Sequence, residues 1–259
     1  MSAITRADMA SPGTAYIGTS GWSYPHWKGP FYPVDLPDRQ LLEYYCRHFR
    51  TVEINNSFYH LPSEAALDQW RQTTPADFVF AAKASRYITH MKKLREPEKS
   101  CKTFLDRMSV LGRKLGPIVF QLPPRWHYNG ERLATLLAYL PRSHRYAFEF
   151  RDPDWINDEA LALLQRYNAA FCIYELAGFR SPLHVTADFV YIRLHGPEGA
   201  YQGKYDGRTL AAWARRIQNW LKAGRDVYCY FDNDEAGYAV ENARDLQARI
   251  RRLAETGSF

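Results

Sequence analysis

The sequence predicts a single (β/α)8 barrel, on three observations. Eight segments of strand composition alternate with segments of helical apolar spacing, the pattern of a parallel α/β protein. The strand segments carry polar or charged groups at alternate positions instead of reading as unbroken apolar runs, which favours a closed barrel over a doubly wound sheet. The polar residues also gather toward the C-terminal end of each strand, where such barrels build their sites. A chain of 259 residues suits one domain of this kind, and no linker divides it. Residues 1–14 read as a disordered lead-in and 15–259 as the barrel.

Tyr16–Ser20 supplies the first strand, and the loop Gly21–Pro33 that follows is dense in aromatics, glycine and proline. Arg39–Phe49 has helical spacing. Thr51–Asn55 is the second strand, with Glu53 and Asn55 on one face because side chains alternate along a strand. After the loop Asn56–Pro62, Ser63 is placed to cap a helix running to Thr73. Phe78–Lys83, the third strand, ends with Lys83 on its small-residue face. Ser85–Glu96 reads as a basic loop, and a helix follows from Pro97, suited to a first turn, to Lys114.

Pro117–Leu122 is the fourth strand, with Val119 and Gln121 sharing a face; the loop Pro123–Asn129 leads to a helix ending at Leu140. The stretch Arg145–Asp152 holds the fifth. Its Tyr146, Phe148 and Phe150 point one way, and Ala147, Glu149 and Arg151 the other. Asp158–Tyr167 is the next helix. Ala169–Tyr174 is the sixth strand and ends at Glu175, after which Leu176–Thr186 looks irregular, so the sixth helix is expected to be degenerate. Phe189–His195 sets Tyr191, Arg193 and His195 against Val190, Ile192 and Leu194. A loop with Gly196, Gly199, Gly203 and Gly207 precedes the helix Thr209–Lys222. Asp226–Asp232 is the eighth strand, with Tyr228, Tyr230 and Asp232 on one face, and Ala236–Ala254 the last helix.

An apolar fraction of 46% is enough for a full core, yet no apolar run approaches the ~20 residues that span a bilayer. The first residues lack an apolar signal-peptide centre, and the four cysteines (Cys46, Cys101, Cys172, Cys229) form no Cys-x-x-Cys pair. A cytoplasmic protein with small buried thiols is the expectation. The formal charge is +6, and the segment from Lys83 to Lys114 alone holds ten Lys or Arg against three acids. A local basic excess suggests an anionic partner, unless it is simply a solvated face. Aromatics concentrate in loops that follow strands (Trp22, Tyr24, Trp27, Tyr59, Tyr87, Trp126, Tyr201 among them) and are scarce in the loops before strands. They either cap the barrel top or stack sugars or bases. Trp70, Trp213 and Trp220 fall at core spacing on helices, and His127, His144 and His184 read as surface residues without paired ligands.

The predicted mouth therefore gathers Glu53, Glu149 and Asp232 against Lys83, Arg151 and Arg193, with His195, Asn55 and Gln121 beside them and Trp22 and Tyr59 in the loops above. Three acids and three bases can also satisfy one another as a buried network. The leading expectation is an enzyme on an anionic, phosphate-bearing substrate, possibly a nucleic acid. Lys83, Arg151 and Arg193 would neutralise the phosphate, Glu149 or Glu53 would act as base and His195 as acid, with Asp232 in the catalytic group. A metal-dependent variant would place Mg²⁺ or Mn²⁺ on Glu149, Glu175, His195 and Asp232. A non-catalytic nucleic-acid-binding module is the alternative from another class. A glycoside hydrolase is disfavoured, because Gln121 and Arg193/His195 stand at the strand ends where many barrel glycosidases carry their acids.

Several motifs, in order along the chain, resemble the YecE-like family, the domain of unknown function numbered 72. They are Ile17–Tyr24 (IGTSGWSY), Val52–Asn55 with Phe58-Tyr59, Lys83–Arg86 with Ile88–His90, Phe120–Pro124, Glu149–Arg151, Arg193–Gly196 and Phe231–Asp234. The resemblance implies a (β/α)8 barrel and carries no settled activity. The chain departs from that pattern at Glu175, where an aspartate is usual, and at Asp232, where the aromatic-Asn-Asn-Asp turn has its first asparagine.

Overall fold

The computed structural model describes residues 11–256. Residues 11–14 are irregular, and the rest of the predicted lead-in lies outside the described residues. The barrel strands are β1 (Ala15–Thr19), β2 (Thr51–Ile54), β3 (Val79–Lys83), β4 (Leu115–Gln121), β5 (Tyr146–Glu149), β6 (Ala170–Leu176), β7 (Phe189–Leu194) and β8 (Asp226–Phe231). They pair in parallel in the order β1-β8-β7-β6-β5-β4-β3-β2. Closure between β1 and β2 is slight, through a bridge from Ser20 to Glu53 and a bond from Gly21 N–H to the Glu53 carbonyl at 2.8 Å. Gly18 permits the approach, since a Cβ there would lie 2.4 Å from the Thr51 carbonyl oxygen. The result is a nearly closed eight-stranded barrel with helices outside it, as the alternation implied.

The helices are α1 (Leu41–Cys46), α2 (Glu64–Thr73), α3 (Pro97–Ser100), α4 (Lys102–Met108), α5 (Gly130–Tyr139), α6 (Asp158–Arg166), α7 (Gly207–Lys222) and α8 (Tyr238–Thr256). Ser63 caps α2 as expected, its Oγ accepting from Ala66 N–H at 3.1 Å; Asn129, Asn157 and Asp206 do the same for α5, α6 and α7. Two predicted spans are corrected. The helix from Pro97 to Lys114 breaks at Cys101 and ends in a 3-10 segment, Ser109–Lys114, where Gly112 at φ 55° abandons helical geometry. The basic loop before it contains a π-helical turn, Tyr87–Met91. No helix follows β6 among the described residues: Phe179–Arg180 folds back antiparallel onto it, and Thr186 Oγ bonds Phe171 N–H and the Ala169 carbonyl, each at 2.7 Å.

The core has two layers. Phe120, Phe148 and Phe150 point outward to meet helices and loops, with Trp155, Leu133 and Leu164 in the same cluster. Inside the barrel, Ala81, Val119, Ala147, Ala170 and Cys172 face the rings of Tyr191, Tyr228 and Tyr230. Each fully buried aromatic or aliphatic side chain contributes about 1.5–3 kcal/mol, so this filling holds the lower lumen shut. Small residues on one wall and large ones on the other leave room above for a long side chain from β7. Trp70, Trp213 and Trp220 pack against the outer core, and all four cysteines are free thiols, Cys101, Cys172 and Cys229 fully buried. No described helix is long and apolar enough to cross a membrane.

Candidate active site at the barrel mouth

Arg193 is the centre of the charged layer. Its position on β7, two residues above Tyr191, sends it across the lumen, where it is wholly buried. Nε donates to Glu53 Oε2 at 3.1 Å and Nη2 to Glu53 Oε1 at 2.7 Å, a two-pronged pair between strands 140 residues apart. Nη1 donates to Glu149 Oε2 at 2.9 Å and Gln121 Oε1 at 3.4 Å, and Nη2 also reaches Ser20 Oγ at 3.2 Å and Asp232 Oδ2 at 3.3 Å. Glu53 is just as fully engaged. Tyr191 donates to its Oε2 at 2.6 Å, and the Ser20 hydroxyl donates to Oε1.

Glu149 takes a second guanidinium, with Arg151 Nε donating to its Oε1. Burial alone would raise the Glu149 carboxyl, but Arg151, Arg193 and His195 together hold it well below the usual carboxylate range. His195 is held inside this frame, Nδ1 at 3.0 Å from Asp232 Oδ2 and Nε2 at 3.3 Å from Glu149 Oε2 and 3.0 Å from Arg151 Nη2. Donation by Arg151 makes Nε2 the acceptor in the neutral ring, so Nδ1–H points at Asp232. Asp232 is also buried, which raises its carboxyl, yet the His195 bond and the charges of Arg193 and Lys83 bring it below its ordinary value. Two guanidiniums meet three carboxylates in this layer. A proton on His195 or Lys83 balances the remaining charge.

Above the layer opens a cavity of about 480 Å³ whose lining includes Tyr24, Asn55, Tyr59, Lys83, Tyr201, Asp232, Asp234 and Glu235. Lys83 is 6% exposed, and among the described residues its ammonium makes no hydrogen bond or ion pair. Its Nζ sits 4.2 Å from the centre of the Phe58 ring. Burial, reinforced by Arg193 and only partly offset by Asp232, Glu149 and Glu53, pulls Lys83 down to about 8. Asn55 presents a buried Oδ1 that has no hydrogen-bond partner among the described residues. Burial, with Asp232 nearby, lifts Asp234 to about 6 despite its bonds to Trp27 and His26. Trp22 and Tyr59 line an adjoining hollow of about 270 Å³ with Tyr24 and Asn55. The Trp22 ring also packs edge-on against Trp70 at 4.8 Å.

The structure thus brings together Glu53, Gln121, Glu149, Arg151, Arg193, His195 and Asp232, and sets Lys83, Asn55, Trp22 and Tyr59 around the openings above. Glu175 does not join them. Cys172 and Tyr174 face the lumen, so the next residue turns outward, where Glu175 pairs with Arg180 at 3.3 Å and burial raises its carboxyl. The four groups Glu149, Glu175, His195 and Asp232 therefore do not converge on one point. The glycine loop after His195 also offers few free amides: Gly196 N–H bonds Tyr205 Oη at 3.0 Å, Tyr201 N–H the His195 carbonyl at 2.6 Å, and Gly203 N–H Glu235 at 3.2 Å. In the basic segment Lys92, Lys99 and Lys102 pair with Glu96, Glu96 and Asp106 at 3.0, 3.4 and 2.6 Å. Several loop aromatics, Trp27, Tyr32, Trp126 and Trp155 among them, are buried caps; Trp22 and Tyr24 are half-buried, and Tyr59, Tyr87, Phe179 and Tyr201 stay exposed.

One cluster was missed from sequence. His127 is exposed, as expected, but not unpaired: its Nδ1 lies 2.6 Å from Asp154 Oδ2 and 4.0 Å from Asp152 Oδ1. The residues come from successive strand-end loops, so only the fold unites them. His90, missed too, packs on Phe58 at 5.0 Å; burial and the charges of Lys83, Arg86 and Arg151 lower it to about 4.

Residues 16–257 match the family model described as "Protein of unknown function DUF72". The chain is 36% identical over 149 residues to UPF0759 protein YecE of Escherichia coli, a match covering 54% of this chain and 49% of that relative, about half its length. It is 25% identical over 268 residues to UPF0759 protein YunF of Bacillus subtilis, covering 89% and 93%. A crystal structure of a DUF72 family protein from Thermotoga maritima superposes with a TM-score of 0.83 at 28% identity, over 93% of this chain and 99% of that one. A second, from Enterococcus faecalis, gives 0.76 at 19% identity, over 92% and 96%, and shares the fold.

Proposed function

The chain belongs to the DUF72 family, and from its geometry we propose that it is an enzyme performing acid–base chemistry on a small polar substrate in the barrel-mouth cavity. One observation carries this: Lys83 is buried and lines that cavity, and among the described residues it makes no hydrogen bond or ion pair; burial lowers it to about 8, where it can give or take a proton. Asp232 and Asp234 line the same space, and His195 lies behind Asp232 at 3.0 Å. Glu53 and Glu149 then act as fixed negative charges that hold Arg193 and His195 in place, since guanidinium and hydroxyl donors already occupy their oxygens. A phosphodiester substrate has less support, because Arg193 is spent on carboxylates. A single anionic substituent has Arg151 Nη1, which makes no hydrogen bond among the described residues.

Incubation of the purified full chain with a pooled extract of small polar metabolites, followed by mass spectrometry, tests the reading. Depletion of one or a few compounds is expected, slowed about 10²-fold or more by Lys83→Met and by Asp232→Asn. Turnover that Lys83→Met leaves intact would remove Lys83 from the chemistry, and no depletion in any pool would sink the enzyme reading.

A further inference from the structure

We propose that Lys83 is an amine nucleophile that captures an aldehyde or ketone as an imine, so that the substrate class of this site is a small carbonyl compound. The proposal rests on the enzyme reading above and deepens it. A cavity already lined by Asp232, Asp234 and Glu235 has carboxyl groups enough to move protons. What a lysine adds to them is nucleophilic addition to a carbonyl carbon. A surface lysine is a poor nucleophile because it is protonated and solvated. Lys83 is 6% exposed, and among the described residues its ammonium makes no hydrogen bond or ion pair; Glu53 and Glu149 are committed to Arg193, Arg151, Ser20 and Tyr191, and Asp232 Oδ2 to His195 and Arg193. Desolvation, with Arg193 close by, outweighs the pull of Asp232, Glu149 and Glu53, lowers Lys83 to about 8 and frees the amine lone pair near neutral pH.

The surroundings suit the product as well as the reactant. In the first step the neutral Nζ bonds to the carbonyl carbon while the C=O pair moves to oxygen, which takes up a proton as nitrogen gives up one of its two. In the second, that oxygen receives another proton and leaves as water, and nitrogen loses its hydrogen to leave a C=N bond. Carbonyl plus amine thus gives imine plus water, with no oxidant or reductant. Tyr24, Asp232 and Asp234 line the space where the oxygen protonates, and the opening to solvent takes the water. The protonated imine is a cation, and the Phe58 face 4.2 Å from Nζ, with Asp232, Glu149 and Glu53 behind it, stabilises it as it would the ammonium. Asn55 Oδ1, buried and without a hydrogen-bond partner among the described residues, is placed to accept from a substrate hydroxyl.

The test is reductive trapping. The full chain is mixed in turn with glyceraldehyde, dihydroxyacetone and pyruvate, reduced with borohydride, and the adduct mapped by peptide mass spectrometry. The expected result is a stoichiometric adduct on Lys83, at least about tenfold above any other lysine, rising with pH through a midpoint near 8 and absent from Lys83→Met. The groups facing Lys83 that could shift this midpoint are Arg193, Asp232, Glu149, Glu53 and His90. An adduct no greater on Lys83 than on exposed Lys102 would overturn the proposal, as would an adduct that persists in Lys83→Met. Metabolite depletion that needs Lys83, with nothing trapped there by any carbonyl, would defeat the imine and leave the acid–base reading standing.

Discussion

The charged layer around Arg193 and the cavity above it draw on the same strand ends, yet their polar groups are satisfied to different degrees. In the layer, Arg193 spends its N–H groups on Glu53, Glu149, Gln121, Ser20 and Asp232, and Glu53 takes donors on both oxygens. In the cavity, Lys83 and the Asn55 side chain lie at the surface of the same frame and make no hydrogen bond among the described residues. Charge at the active end of a barrel is therefore not by itself a site. A closed network of buried charges reports on folding, whereas the buried group left unmatched reports on a ligand.

Removing the centre of the layer should have the largest effect. Arg193→Met strips the shared cation from three buried carboxylates, and breaking even one buried pair costs about 3–5 kcal/mol. A loss of at least about 4 kcal/mol in urea unfolding is expected, or no soluble protein. A loss under about 1 kcal/mol would mean that the layer does not hold the fold. Glu149→Gln should cost less, about 2–3 kcal/mol, because the amide keeps the shape and an acceptor. It should also change the acid limb. Glu149 and Asp232 have folded values below their unfolded ones, so their stabilisation is present above the unfolded pKa and is lost as pH falls below about 4.5. Thermal melts from pH 6 to 3 should therefore show a shallower decline for Glu149→Gln than for the parent.

Lys83→Met should act in the opposite direction. The folded Lys83 titrates at about 8 against an ordinary 10.5, so the unfolded chain binds more protons between those values and this group's contribution to stability rises with pH there. Below pH 8 its full penalty applies, and the apolar replacement should stabilise the protein by up to about 3 kcal/mol. The gap between variant and parent should narrow from pH 8 toward 10.5. A variant less stable than the parent at pH 7 would place Lys83 among the satisfied charges and erase the contrast between layer and cavity.

How much of this could be read from the chain follows from the period of the strands. Alternation placed Glu53, Lys83, Gln121, Glu149, Arg193 and Asp232 on the lumen side, and all six are there, because a two-residue repeat fixes the face wherever the other side is apolar. The same rule, applied past Cys172 and Tyr174, would have sent Glu175 outward. Which charges meet was not legible. Arg193 finds Glu53 across the barrel, so the pairing depends on lumen width and on Ala81, Val119 and Ala147 leaving space, and no local pattern encodes that. His127 with Asp152 and Asp154 was hidden for the same reason, as was the engagement of the loop amides after His195.

The smallest expected effect sharpens the comparison most. Asn55 and Gln121 are both amides on lumen faces, but Gln121 accepts from Arg193 at 3.4 Å while the Asn55 side chain makes no hydrogen bond among the described residues. Truncating a bonded buried amide leaves its partner short, at about 1–3 kcal/mol; truncating an unbonded one forfeits only its packing. Asn55→Ala should therefore change unfolding stability by less than about 0.5 kcal/mol, and Gln121→Ala by about 1 kcal/mol or more. If Asn55 is an idle polar group, its loss should be silent in every assay. If it waits for a substrate hydroxyl, the same variant should weaken substrate affinity about tenfold or more while its melting curve overlays the parent's. A melting curve displaced as far as that of Gln121→Ala would show that Asn55 belongs with the closed layer instead.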